Sequence, residues 1–201
     1  MRWTLAVLAM AAVPGCHSHH DHDDHDHNLI NIEILGSSGG GCARSGHETA
    51  AHQGAGDGPT LVYPNGHPLD WLTSDPQVLA AEEEMLALVN GARAAQGLPA
   101  LAMDETMRRC ARGHSRHMSA ESHGFFAHVN PEGDGPGERL CANGMPGGAA
   151  ENLARGSASA GEVVDAWLAS PGHYANVMNP AHVRTGVGCQ GAVWTQLFRD
   201  P

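Results

Sequence analysis

No lysine occurs among the 201 residues; all 11 basic side chains are arginines, set against 22 acidic ones for a formal net charge of −11. Such a chain has no lysine-rich stripe to track phosphates, and nucleic acid is not an expected partner. Aromatic residues are scarce at 4%, whereas glycine reaches 26 copies, concentrated in stretches such as GSSGGG and HQGAGDG. Those stretches bury too little to stay ordered alone. The N-terminal apolar run TLAVLAMAAV is far too short to span a bilayer by itself. H-E-x-x-H is also missing, and the single G-x-S-x-G match, residues 36–40, belongs to the glycine-rich GSSGGG and not to a strand-to-helix turn, so no nucleophile or zinc-peptidase signature announces an enzyme.

The length suits one folded module with extra segments at its ends. Arg2, the apolar run and the small residues after it have the form of an export signal. Two cleavage readings stay open. In the first, VPGC resembles the lipobox of bacterial lipoproteins, with Val13 three residues before the cysteine and Gly15 just before it, although Pro14 is unusual there. Cys16 would then be lipidated and anchor the protein to the membrane of the bacterial envelope. In the second, Ala9-Met10-Ala11 is an ordinary A-x-A site, the protein is secreted, and Cys16 remains a free thiol. Lipidation of Cys16 leaves Cys42, Cys110, Cys141 and Cys189, an even number, as an oxidising compartment favours. Three pairings of those four are open, with Cys189 expected to bridge to Cys141 or Cys110.

Residues 17–27 contain only histidine, aspartate and one serine. His17, His19, His20, His22, His25 and His27, with the aspartates between them, would take up borderline divalent metals loosely. The alternative is a soluble spacer, because an ordered site needs fixed ligand geometry that a low-complexity tract lacks. In residues 28–76 the alternation of Ile30, Ile32 and Ile34 with Asn31 and Glu33 predicts one strand, docked within a glycine-rich tether.

From residue 77 the pattern becomes globular. Val78, Leu79, Met85, Leu86, Val89 and Ala92 recur at helical spacing, with Glu82, Glu83 and Glu84 expected in solvent and Gly97 past the helix end. Asp104 is a good N-cap for a second helix whose inner face reads Met107, Cys110, Ala111, His114 and Met118. FFAHV is short and apolar, and NPEGDGPGER reads as a loop. Ser159 and Glu162 stand at capping-box spacing before a third helix, and Ser170 with Pro171 opens a short fourth one. The final RTGVGCQGAVWTQLF predicts a hairpin around Gln190-Gly191. Helices interleaved with antiparallel strands argue for an α+β fold.

The ordered set LVNGARAAQGLPAL, HSRHM, FFAHVNPEG, AENLARG, WLASPGHYANVMNP and TGVGCQ…VWTQLF resembles the CAP superfamily, covering about residues 78–198. That superfamily includes cysteine-rich secretory proteins, venom allergens, plant pathogenesis-related proteins and bacterial SCP-domain proteins. The resemblance implies a three-layer α-β-α sandwich over residues 77–201, behind a signal segment at 1–16 and a disordered tether at 17–76. It also implies a cleft formed by His128 of FFAH, Glu151 of AENL and His173 of PGHYANV. The second glutamate of many members is absent; Ser170 stands at its place.

Two imidazoles and one carboxylate suit a divalent cation such as zinc, with a coordination position left open. His173, in the first turn of a helix, is expected to stay neutral, which suits a metal ligand. The same trio also reads as a buried hydrogen-bond network without turnover. His114 and His117 stand at i and i+3, but His114 shares an apolar face and is expected in the core. Asn90 and Arg93 are expected to tie the first helix to its neighbours, and Arg139 to pair locally with a carboxylate. The combined reading is an exported, lipid-anchored protein that binds an envelope ligand, protein or lipid through its cleft, rather than an enzyme. Its rivals are a metal-dependent hydrolase using the cleft and a metal-scavenging lipoprotein acting through the tail.

Overall fold

Local capping starts the first long helix. In this computed structural model, which describes residues 30–35, 75–120 and 124–201, the Asp75 side chain accepts from the Gln77 N–H at 2.9 Å and Pro76 occupies the first helical position. Helix α1 spans Pro76–Ala95 and ends where Gly97 takes a φ of 70°. Met85 and Val89 are fully buried, as expected, but so is Glu82, which was expected in solvent with Glu83 and Glu84. Glu82 shares the stripe of Met85 and Val89 at i, i+3 and i+7, and two arginines receive it: Arg108 Nε at 2.7 Å and an Arg112 amino nitrogen at 2.6 Å. Asn90 donates to the Leu101 carbonyl and accepts its N–H. Arg93 donates to the carbonyls of Pro99, Val177, Asn179 and His182, so both residues do tie α1 to its neighbours.

After the two-residue strand β2 (Ala102–Met103), the Asp104 side chain accepts from the Met107 N–H and opens α2, Glu105–Ser119. Its inner face, Met107, Cys110, Ala111, His114 and Met118, is buried as its spacing predicts. The stretch expected as loop instead carries a helix, α3 (Pro136–Ala142), begun by Pro136 and held by the Glu138 carboxylate accepting from the Gly135 N–H. Strand β3 follows at Ala150–Arg155. Helix α4 (Ala160–Ala169) begins with Ser159 Oγ accepting from the Glu162 N–H, and α5 spans Pro171–Val177. Strands β4 (Arg184–Gln190) and β5 (Val193–Arg199) form the expected hairpin, with Gly191 at a φ of 57° in the turn.

The predicted N-terminal strand is present as β1, Asn31–Leu35. The sheet order is β1-β3-β5-β4-β2, antiparallel except for β2 beside β4. Helices α1, α4 and α5 cover one face around Met85, Val89, Trp167, Trp194 and Phe198. Helices α2 and α3 cover the other around Met107, Leu140 and Leu197, completing an α-β-α sandwich. Gly186 and Gly188 allow α2 to approach: a Cβ on Gly188 would lie 2.0 Å from the Arg112 nitrogen.

The two core clusters explain a failed cysteine expectation. Cys110 belongs to the α2 face and Cys189 to the α1 face, so the sheet separates these two buried thiols. No bridge from Cys189 to Cys110 or Cys141 forms. Cys16, Cys42, the six tail histidines and the tether other than β1 lie outside the described residues.

Candidate functional site

Strand β3 places its side chains alternately on the two faces of the sheet. On the α3 side, Glu151 is fully buried and both of its oxygens are engaged. Oε1 meets His128 Nδ1 at 2.8 Å, and Oε2 accepts from Arg139 at 2.5 Å. Arg139 therefore pairs with a carboxylate, but with the cleft glutamate on another element and not with a local partner. Its other amino group donates to the carbonyls of His128 at 2.8 Å and Asp134 at 3.0 Å, which holds the loop between α2 and α3 in place. His114 adds a second tie to this loop, its Nε2 lying 3.1 Å from the Ala127 carbonyl oxygen.

On the α5 side, Asn152 donates to the His173 carbonyl and accepts from Asn176, which also reaches the Glu151 carbonyl. His173 Nδ1 lies 2.8 Å from Ser170 Oγ. Ser170 was expected to cap α5, yet it makes no capping bond; its hydroxyl serves the histidine instead. Thus Ser170 supplies a neutral oxygen to the His173 ring.

Electrostatics follow from burial. Burial opposes ionisation of Glu151, but the Arg139 guanidinium, helped by His114 and His128, lowers its pKa from 4.5 to about 2. An ionised carboxylate is acceptor-only, so His128 must donate through Nδ1–H, and in the neutral ring Nε2 carries the lone pair. His173 is shifted down, mainly by burial, with the Glu33 backbone opposing and His128 reinforcing the shift. That agrees with the neutral ring expected there, though desolvation leads the cause. The Nε2 atoms of His128 and His173 are both buried without a hydrogen-bond partner.

The structure therefore brings His128 and Glu151 into direct contact, and Asn152, the next residue of β3, holds the backbone of His173 on the other face of the sheet. His114 is fully buried and His117 packs edge-on against Phe125, with ring centroids 4.8 Å apart. Arg139, Ser170 and Asn176 were not foreseen as parts of the site. No periodic signal marks Arg139 or Asn176, whose partners lie on β3, whereas Ser170 acts on His173 only three residues later.

Comparison with known proteins decides the family. The model of the cysteine-rich secretory protein (CAP) family matches residues 86–196. The chain belongs to this family. A curated CAP relative, the uncharacterized protein YkwD of Bacillus subtilis strain 168, is 37% identical over 130 residues, covering 63% of this chain and 50% of its own length. This chain thus spans about half of that relative. A solved extracellular protein containing an SCP domain from Bacillus anthracis strain Ames superposes with a TM-score of 0.58 at 30% identity, over 65% of this chain and 45% of that one. A cysteine-rich secretory protein from Staphylococcus aureus Mu50 gives 0.54 at 16% identity, over 64% and 40%. An outer surface protein from Borrelia burgdorferi gives 0.51 at 20%, over 63% and 94%. The last two show the shared fold alone.

How the buried trio of this chain would suit a divalent metal follows from its donors. Two orphaned imidazole nitrogens are good donors for a borderline divalent ion. Glu151 has no free oxygen to add to them, and among the described residues no group of three or more His, Cys, Asp or Glu is placed to hold an ion. His128 and His173 would be the residues to hold such a metal, with Glu151 orienting His128 from behind.

Proposed function

We propose that this CAP domain is exported and binds a ligand in its cleft through the Nε2 atoms of His128 and His173. The observation that carries this reading is that pair of buried ring nitrogens without partners, each backed on its Nδ1 side by an oxygen, from Glu151 or Ser170. A buried polar atom without a partner is costly, and a ligand with a proton to donate or a metal with vacant coordination would satisfy both rings at once. A divalent cation such as zinc belongs to this reading, as does an envelope protein or lipid with a matching polar group.

Turnover is disfavoured by the same geometry. Glu151, held ionised by Arg139 with both oxygens engaged, is poorly suited to exchange a proton near neutral pH. The signal-like sequence of Arg2 and the apolar run after it, with the extracellular nature of the Bacillus anthracis relative, supports a location outside the cytoplasm. Lipidation of Cys16 would make the protein membrane-anchored, and loose metal uptake by residues 17–27 would be a property of the tail, separate from the cleft.

Zinc titration by calorimetry on the full chain tests the cleft reading, using a background in which the six tail histidines are serine. One zinc per chain, lost on His128→Ala with His173→Ala, is the expected result. Binding that survives the double substitution would move the metal elsewhere; no binding would leave the imidazoles to a non-metal ligand.

A further inference from the structure

Strand β1 lies outside the family-matched residues 86–196, yet it completes the sheet beside the strand that carries Glu151. Its five residues pair in continuous antiparallel register, from Asn31 opposite Arg155 to Leu35 opposite Glu151. Ile30 and Ile32, both half-buried, pack against the main core, with Ile32 opposite Ala154. The Glu33 backbone lies against the His173 ring, and α5 packs on both β1 and β3. Glu33's own side chain is exposed, so the main chain of β1 is what meets the histidine. His173 is left 2% exposed and His128 8%.

Without β1, β3 would be an edge strand, presenting unpaired N–H and C=O groups beside two unpartnered imidazole nitrogens. Such an edge takes up extended segments: main-chain bonds supply affinity and alternate side chains supply selectivity. We propose that the edge of β3 beside His173 is a strand-docking surface, that its occupant in this chain is the chain's own segment Asn31–Leu35, and that this segment is a detachable cover over the cleft.

Two features make the cover detachable. Among the described side chains of the segment none is fully buried: Ile30 and Ile32 are half-buried and Glu33 is exposed, so these contacts oppose the entropy of ordering only in part. Residues 36–74 separate β1 from Asp75 and α1, so the segment stays tethered after release and docks again at high effective concentration. A competing partner would be an extended peptide with β-branched residues at alternate positions. The functional consequence rests on the cleft reading above, whereas the strand exchange is testable without it.

The test uses the full chain carrying Ile32→Asp, which places a charge against Ala154, beside wild type and Glu33→Ala, whose lost side chain is solvent-facing. Hydrogen exchange at the amides of residues 150–155, carbethoxylation of His173 by diethyl pyrocarbonate, and binding of a labelled peptide LINIEILG are measured. The proposal expects Ile32→Asp to raise exchange on β3 about tenfold or more, to speed His173 modification and to bind the peptide in trans, while Glu33→Ala behaves as wild type. Protected amides in β4 and β5 report that the rest of the sheet is intact; if Ile32→Asp loses them, Ile32→Ala replaces it with the same expectations at smaller size. Unchanged exchange and modification would overturn the proposal. So would faster exchange with no peptide binding, or exchange of the segment between two copies in a dimer. Peptide binding beside a failed zinc titration would refute only the metal reading of the cleft.

Discussion

Arg139 and Glu151, each with a side chain of 0% exposure, meet at 2.5 Å between α3 and β3. The pair makes the carboxylate a fixed acceptor that orients His128, and it removes Glu151 from the list of groups able to change protonation near neutral pH. Replacing Arg139 with Met strands a buried carboxylate. The expected cost is about 3–5 kcal/mol in urea unfolding, and Glu151→Gln in the same background should recover part of it.

Acid sensitivity has two origins with overlapping windows. Burial, then the nearby Arg139 charge, lowers His114 from 6.5 to about 3, so the unfolded chain binds the proton more readily. Stability from this group is complete above the unfolded value and is lost as pH falls from 6.5 towards 3. Glu151, at about 2 instead of 4.5, contributes stability that is lost as pH falls from 4.5 towards 2. Urea midpoints measured from pH 7 to 3 should decline throughout. His114→Gln should flatten the part above pH 4.5 and lessen the slope below it, where Glu151 still contributes.

Ser170→Ala removes the oxygen behind His173 Nδ1. A loss of about 1 kcal/mol in stability and of about 10-fold or more in zinc affinity at the cleft is expected, the latter read by the titration described above. Unchanged affinity would show that the hydroxyl does not orient the ring for a metal.

Gly188→Ala brings a Cβ within 2.0 Å of the Arg112 nitrogen and 2.5 Å of the Ala111 carbonyl carbon. Helix backbone cannot move aside as a flexible side chain can, so the loss should reach about 3 kcal/mol. Thermal unfolding should show it, and Gly91→Ala, a position with open space, should not destabilise.

Glu82→Ala leaves Arg108 and Arg112 facing a buried gap. A loss of about 3–5 kcal/mol is expected from chemical unfolding. Glu83→Ala, whose side chain is 57% exposed, should change stability by about 0–1 kcal/mol.

What was legible in the sequence was carried by short-range signals. Asp104 and Ser159 mark helix starts because a cap bonds a backbone N–H three residues away. The inner face of α2, the alternation in β1 and the hairpin at Gly191 follow from local periodicity and turn chemistry. The trio His128, Glu151 and His173 was located through ordered family motifs, and packing then determined how each side chain is used.

Tertiary structure decided everything that depends on a partner distant in the chain. AENLAR lacks the alternation of a strand, yet β3 is continuous because β1 and β5 bond it on both sides. Glu82 looked solvated beside Glu83 and Glu84 until arginines 26 and 30 residues later enclosed it. Cys110 and Cys189 are kept apart by a sheet that composition cannot show. Helix caps and periodicity act within a turn or two of their cause, whereas a buried charge or thiol takes its role from whichever element folding packs against it.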